Sequence, residues 1–189
     1  CMTFFSRYVV EKTYSIEELG YFSSITLIMI VFPLLSAPVL GVFLPGLSGL
    51  YARKEYYFIK RMTFRMGLCV IAGAIVVCLS SFLWGQFALT LVFGEEILRY
   101  SYLLMPTLLA SFFLLGCSVL GNVLTAVQMR VELLVASLAA ALTVFLVCPP
   151  LVRQFYMNGS LYSLIIAFAV QGAIMLGSLL YKLRAKQPL

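Results

Sequence analysis

Apolar residues along this chain gather into long runs separated by short polar stretches. Five runs are long enough to cross a bilayer, which takes about 20 residues in a helix. They lie at about residues 21–44, 66–84, 102–127, 133–151 and 161–181. Residues 1–19 differ. Phe4, Phe5 and Tyr8 stand beside Arg7, Glu11 and Lys12, a mixture expected of an interfacial helix or of the end of a preceding span. The pattern predicts an all-α fold, a polytopic membrane helical bundle with about five transmembrane helices over residues 20–189. The first run contains Pro33 and Pro38 and leads into Pro45. Each proline removes a backbone donor and crowds the preceding turn, which a membrane helix tolerates when neighbours re-satisfy the freed carbonyls. A kinked helix is expected there, and Pro106 offers a second bend in the third run.

Charge orients the runs. Arg53, Lys54, Lys60, Arg61 and Arg65 follow the first, Arg130 the third, and Lys182, Arg184 and Lys186 the fifth. In any five-span arrangement these nine of the 13 basic residues fall on one side. Arg7, Lys12, Arg99 and Arg153 fall on the other, with most of the glutamates. The positive-inside rule makes the first set topology anchors in the cytoplasm, with a cytoplasmic C-terminus and Glu17 and Glu18 outside. Five spans that start outside, in a chain opening on Cys1, imply a span upstream and a piece cut from a longer chain. Trp84 to Arg99 is expected along the outer interface, with Trp84 at the headgroup level and a turn at Phe93-Gly94-Glu95-Glu96. Asn158-Gly159-Ser160 matches a glycosylation sequon, and the turn preference of Asn-Gly explains it equally well.

Composition sharpens the class. The 189 residues are 63% hydrophobic and 11% charged, against about half and about a quarter in ordinary globular domains. Histidine is absent, and all seven acids are glutamates. This excludes within the chain a Ser-His-Asp or Cys-His catalytic arrangement, a His-ligated zinc site and an intramembrane aspartyl pair. No enzyme activity, metal or other cofactor is expected. The net charge of +6 is explained by the anchors at span ends, so no nucleic-acid partner is expected. None of the five cysteines forms a CxxC pair, and they read as small apolar fillers without a structural disulfide.

Polar residues inside the runs are few: Ser36, Ser111, Ser118, Asn122, Thr125, Ser137, Thr143 and Gln171. Most are expected to hydrogen-bond between helices, at about 0.6 kcal/mol each. Asn122 and Gln171 are the costliest to leave facing lipid. They join Pro33, Ser36 and Pro38 as candidates for lining a substrate path. Gly67 with Gly73, and Gly172 with Gly177, are expected to permit close helix packing.

Several stretches resemble one family. Glu18-Leu19-Gly20-Tyr21 looks like the Glu-hydrophobic-Gly-Tyr entry of polysaccharide flippases, in the multidrug/oligosaccharidyl-lipid/polysaccharide exporter superfamily. Leu44-Pro45-Gly46-Leu47-Ser48-Gly49-Leu50-Tyr51-Ala52 resembles their Phe-Pro-x-Leu-Ser-x-Leu-Tyr-Ala exit, and a basic, aromatic loop follows in both. Phe93-Gly94-Glu95-Glu96 resembles their Tyr-Gly-x-Glu-Phe loop, and Leu124-Thr125-Ala126 with Arg130 resembles the end of the next span. Leu44, Ile97, Val127 and Gln128 depart from the family's usual residues. The resemblance implies most of one six-span lobe, the C-terminal one, of a two-lobed flippase in the bacterial inner membrane. It implies translocation of a lipid-linked oligosaccharide by alternating access for cell-surface polysaccharide biosynthesis. The implied partners are the bilayer, the lipid-linked oligosaccharide, the missing second lobe and, as a candidate, a polysaccharide polymerase. An ion-coupled drug/toxin extruder of the same superfamily is the alternative, disfavoured by the lack of an ionisable residue at mid-span. A non-transporting membrane fragment is the third reading.

Overall fold

The computed structural model describes residues 2–13, 16–53, 55–93 and 102–185. Among the described residues the chain is helical throughout, without strands: α1 Met2–Thr13, α2 Ile16–Thr26, α3 Ile28–Ala52, α4 Tyr56–Phe93, α5 Leu104–Ala126 and α6 Arg130–Ala185. Two of these helices, among the described residues, are long and apolar enough to cross a membrane: α5, and α6 from Arg130 to Lys182.

α6 is bent into a hairpin. Its backbone leaves helical geometry at Phe155 (φ −117°, ψ 17°) and Tyr156 (φ 54°, ψ −140°). Arms 130–154 and 157–185 are therefore separate rods, about 37 and 43 Å long by the usual rise per residue. Residues at comparable distances from the break meet across it. The Gln171 amide donates to the Ser137 hydroxyl at 3.3 Å, and the Cys148 thiol engages the Ser163 side chain. Nearest the bend, Gly159 lies so close to Leu151 that a Cβ there would collide with the Leu151 carbonyl and meet the Val152 nitrogen at 2.7 Å. Only glycine permits that approach. Pro149 and Pro150, within α6, cannot donate to the carbonyls of Phe145 and Leu146 four residues back. This weakens the first arm just before it breaks.

α5 is the central element, in contact with α3, α4 and both the incoming and outgoing parts of α6; α1 lies along α6, where Phe5 stacks on Phe145 with centroids 4.5 Å apart. Two buried clusters occupy the two ends of the bundle. The first joins Phe22 and Ile25 of α2, Met29 of α3, Leu103 before α5, and Val152, Met157 and Leu161 around the hairpin bend. The second joins Leu47 of α3, Ile59 of α4, Val123 and Leu124 of α5, and Ala136, Met175 and Leu179 of α6. Chain direction therefore reverses from α3 to α4, from α4 to α5, and from α5 to the first arm, and again at the bend.

Several sequence expectations shift. The first run is divided at Leu27, and α3 then continues through Pro33, Pro38 and Pro45 to Ala52. The Leu44–Ala52 stretch is thus helix, and the basic residues from Lys60 to Arg65 belong to the opening turns of α4. Pro106 sits in the first turn of α5, where its missing donor is unneeded, so it does not bend the helix. Trp84 to Phe93 continues α4 as helix; the turn at Glu95 and Glu96, and Arg99, lie outside the described residues. The Asn158-Gly159-Ser160 turn is displaced to Phe155–Tyr156, and those three residues are helical. Gly67, Gly73 and Gly177 face open space, and Gly172 makes only an ordinary 3.6 Å approach to the Cys117 sulfur. Close packing belongs to Gly159 instead.

Candidate functional site

The candidate path residues fall on three helices. Pro33, Ser36 and Pro38 lie in the first half of α3, and their side chains are outside those described. Asn122 is half-buried on α5 and donates to the Ser118 carbonyl of its own helix at 2.9 Å. Gln171 is half-buried on the second arm and bonds Ser137 across the hairpin. These two amides have separate partners and form no shared polar site.

The hydroxyls follow the same economy. Ser48, Thr63, Thr107, Ser111, Thr125 and Thr143 each donate to the carbonyl four residues earlier, at 2.7 to 2.9 Å. Such back-bonding satisfies a donor without water or a second helix, which suits helices in apolar surroundings. Cys117 reaches further, donating to the Phe168 carbonyl at 3.1 Å and fastening α5 to the second arm. Cys69, Cys117 and Cys148 are free thiols. The described residues contain no group of three or more metal-ligating side chains.

The cations are brought together. Arg53 follows α3, Lys60, Arg61 and Arg65 open α4, Arg130 opens α6, and Lys182 lies near its end. All six are at the end of the bundle built around Leu47, Ile59, Leu124 and Leu179. Arg53, Lys60, Arg61, Arg65 and Arg130 are exposed and Lys182 is half-buried. Lys54 lies outside the described residues; Arg184 is helical, with its side chain outside those described. Arg153, exposed beside the hairpin bend, is at the opposite end.

Turn geometry holds this end together. After α5, Gln128 takes φ 58°, Met129 N–H donates to the Leu124 carbonyl at 2.8 Å, and Gln128 N–H donates to that of Thr125 at 3.1 Å. That pair of bonds is a Schellman cap, and buried Met129 and Leu124 supply its apolar contact. After α3, Glu55 N–H makes the equivalent bond to the Leu50 carbonyl at 3.0 Å.

Two features were missed in the sequence. One is the position of the hairpin bend, expected at Asn158-Gly159-Ser160 and found at Phe155–Tyr156. The other is the exposed aromatic and basic face of α4, whose residues read as a loop until they are placed on a helix.

Over 121 residues, 64% of its length, the chain is 30% identical to the capsular polysaccharide biosynthesis protein CapF of Staphylococcus aureus. The matched stretch covers 30% of that protein, so the chain spans about a third of the relative's length. No protein-family model matches the chain, and no solved structure matches it.

Proposed function

We propose that this chain is part of a flippase that moves a lipid-linked oligosaccharide across the bacterial inner membrane for surface polysaccharide biosynthesis. The observation that carries the substrate class is the likeness to a capsular polysaccharide biosynthesis protein. The fold supports a membrane setting, because the cations collect at one end of the bundle and six hydroxyls, Thr107 and Ser111 among them, bond back to carbonyls of their own helices. In this reading about five spans cross the bilayer: most of α2 and α3 as one, α4, α5 and the two arms of α6. The C-terminus and the cation-rich end face the cytoplasm. The chain's role is transport rather than catalysis. Alternating access needs an element that can bend. α3 fills that role, since Pro33, Pro38 and Pro45 each leave one helical carbonyl without its usual donor. The second lobe, and a polymerase that accepts the translocated glycan, are its proposed partners.

Deleting the gene in its host and quantifying surface polysaccharide and lipid-linked oligosaccharide tests the proposal. Loss of surface glycan with accumulation of the lipid-linked precursor in the inner leaflet is expected. Unchanged glycan and precursor pools overturn it, and increased drug sensitivity alone transfers the chain to the extruder reading.

A further inference from the structure

The opening turns of α4 divide into two faces. Ile59 is fully buried, and Met62 and Met66 pack beside it on the cation-end core. On the other side, Tyr57, Phe58, Lys60, Arg61, Phe64 and Arg65 are exposed. With 3.6 residues per turn, Tyr57, Arg61, Phe64 and Leu68 stand on one line. That line continues without a polar residue through Ile71, Ile75 and Leu79, each more than half exposed. The same surface is therefore aromatic and basic at one end and aliphatic for about 22 Å beyond Phe64.

We infer that this face of α4 is a seat for an anionic phospholipid. Its headgroup lies among Lys60, Arg61 and Arg65, and its acyl chains lie along Leu68, Ile71, Ile75 and Leu79. The inference rests on the membrane reading above and adds a ligand to it. Charge complementarity selects the occupant. Three cations interleaved with three aromatics at the start of a long apolar stripe match an anionic headgroup above acyl chains, since aromatic rings favour the headgroup level and clustered basic residues attract anionic lipid. None of the three cations forms an ion pair among the described residues. α4 has no acid in its first turn to offset them, so the helix itself gains little from cations placed there. A protein partner would meet the same aliphatic stripe without needing the cations at its end.

The test uses the full protein in bilayers, with Leu68→Trp as a reporter and Trp84→Phe to clear this chain of its native tryptophan. Quenching is compared for brominated phosphatidylglycerol and brominated phosphatidylcholine at equal mole fraction. A preference of at least about fivefold for the anionic lipid is expected, the factor that even one of the three cations supplies. It should vanish in K60Q/R61Q/R65Q and persist in the charge-preserving K60R/R61K/R65K. Equal quenching by the two lipids overturns the anionic seat while leaving α4 in lipid. A preference unchanged by the Gln variant overturns the assignment to these cations. Absence of quenching by either lipid shows that protein covers the face, and overturns the inference together with the lipid exposure of α4. Glycan export is read separately by the gene deletion.

Discussion

Gln128 holds a backbone conformation that a side chain resists. At φ 58° it closes the cap after α5 and turns the chain into α6 beside Arg130. The left-handed region costs a non-glycine residue about 1 kcal/mol or more, and glycine is the usual occupant of this position in a Schellman cap. Gln128→Gly is therefore expected to raise stability by about 1 kcal/mol, seen as a higher melting midpoint in detergent. Gln128→Ala should leave the midpoint unchanged, because the strain belongs to the Cβ. A Gly variant no more stable than the Ala variant overturns this account. The sequence marks Gln128 only as a departure from a resembling motif, and nothing in its neighbours announces a positive φ. Asn122 and Gln171 show the complementary limit. Their cost in lipid was legible from residue type, but whether each amide turns to a cavity, a neighbour or its own helix depends on side-chain geometry. Asn122 uses its own helix and Gln171 the facing arm.

Among the elements, α6 depends most on a single contact. Its arms approach closely enough at Gly159 that a Cβ would strike the Leu151 carbonyl. A backbone carbonyl has no rotamer by which to yield, so the arms must part. Gly159→Ala is expected to cost about 3 kcal/mol, at the upper end of overpacking penalties, and to lower the melting midpoint by several degrees. Gly73→Ala supplies the contrast: it meets open space on α4, and the better helix propensity of alanine should stabilise it by up to about 1 kcal/mol. Equal effects of the two substitutions overturn the close approach of the arms. The two arms were legible as separate apolar runs, 133–151 and 161–181. The position of their bend was not. Asn158-Gly159 has the stronger intrinsic turn preference, yet the chain breaks at Phe155–Tyr156. Tertiary packing outweighs local preference here: Gly159 contributes more as the small residue between the arms than as the turn. The three prolines of α3 were read as points of bending within one helix, and α3 does run through all of them.

At the scale of the whole molecule, charge was the most legible property. Six of the nine cations that sequence order assigned to one side, Arg53, Lys60, Arg61, Arg65, Arg130 and Lys182, come together at one end of the bundle around one buried cluster. Arg153 is exposed beside the bend at the other end. In the membrane reading proposed above, such sorting follows from the cost of moving cations across a bilayer and from their retention on the cytoplasmic side. A soluble helical bundle has no comparable reason to confine its cations, since either end meets water. The sorting thus predicts an orientation that reporters at the two ends can read. Tyr57 is exposed on α4 at the cation-rich end, and Gln154 is exposed beside the hairpin bend. With the native cysteines replaced, Gln154→Cys should react with a membrane-impermeant maleimide in intact cells. Tyr57→Cys should react only after permeabilisation. Labelling of both from outside, or the reverse pattern, overturns the orientation. If neither labels until the cells are opened, the five-span reading fails, because no odd number of crossings then separates the two ends. The expected pattern would place the Lys60, Arg61 and Arg65 face at the inner leaflet, where anionic lipid is most abundant, and the hairpin bend at the outer surface.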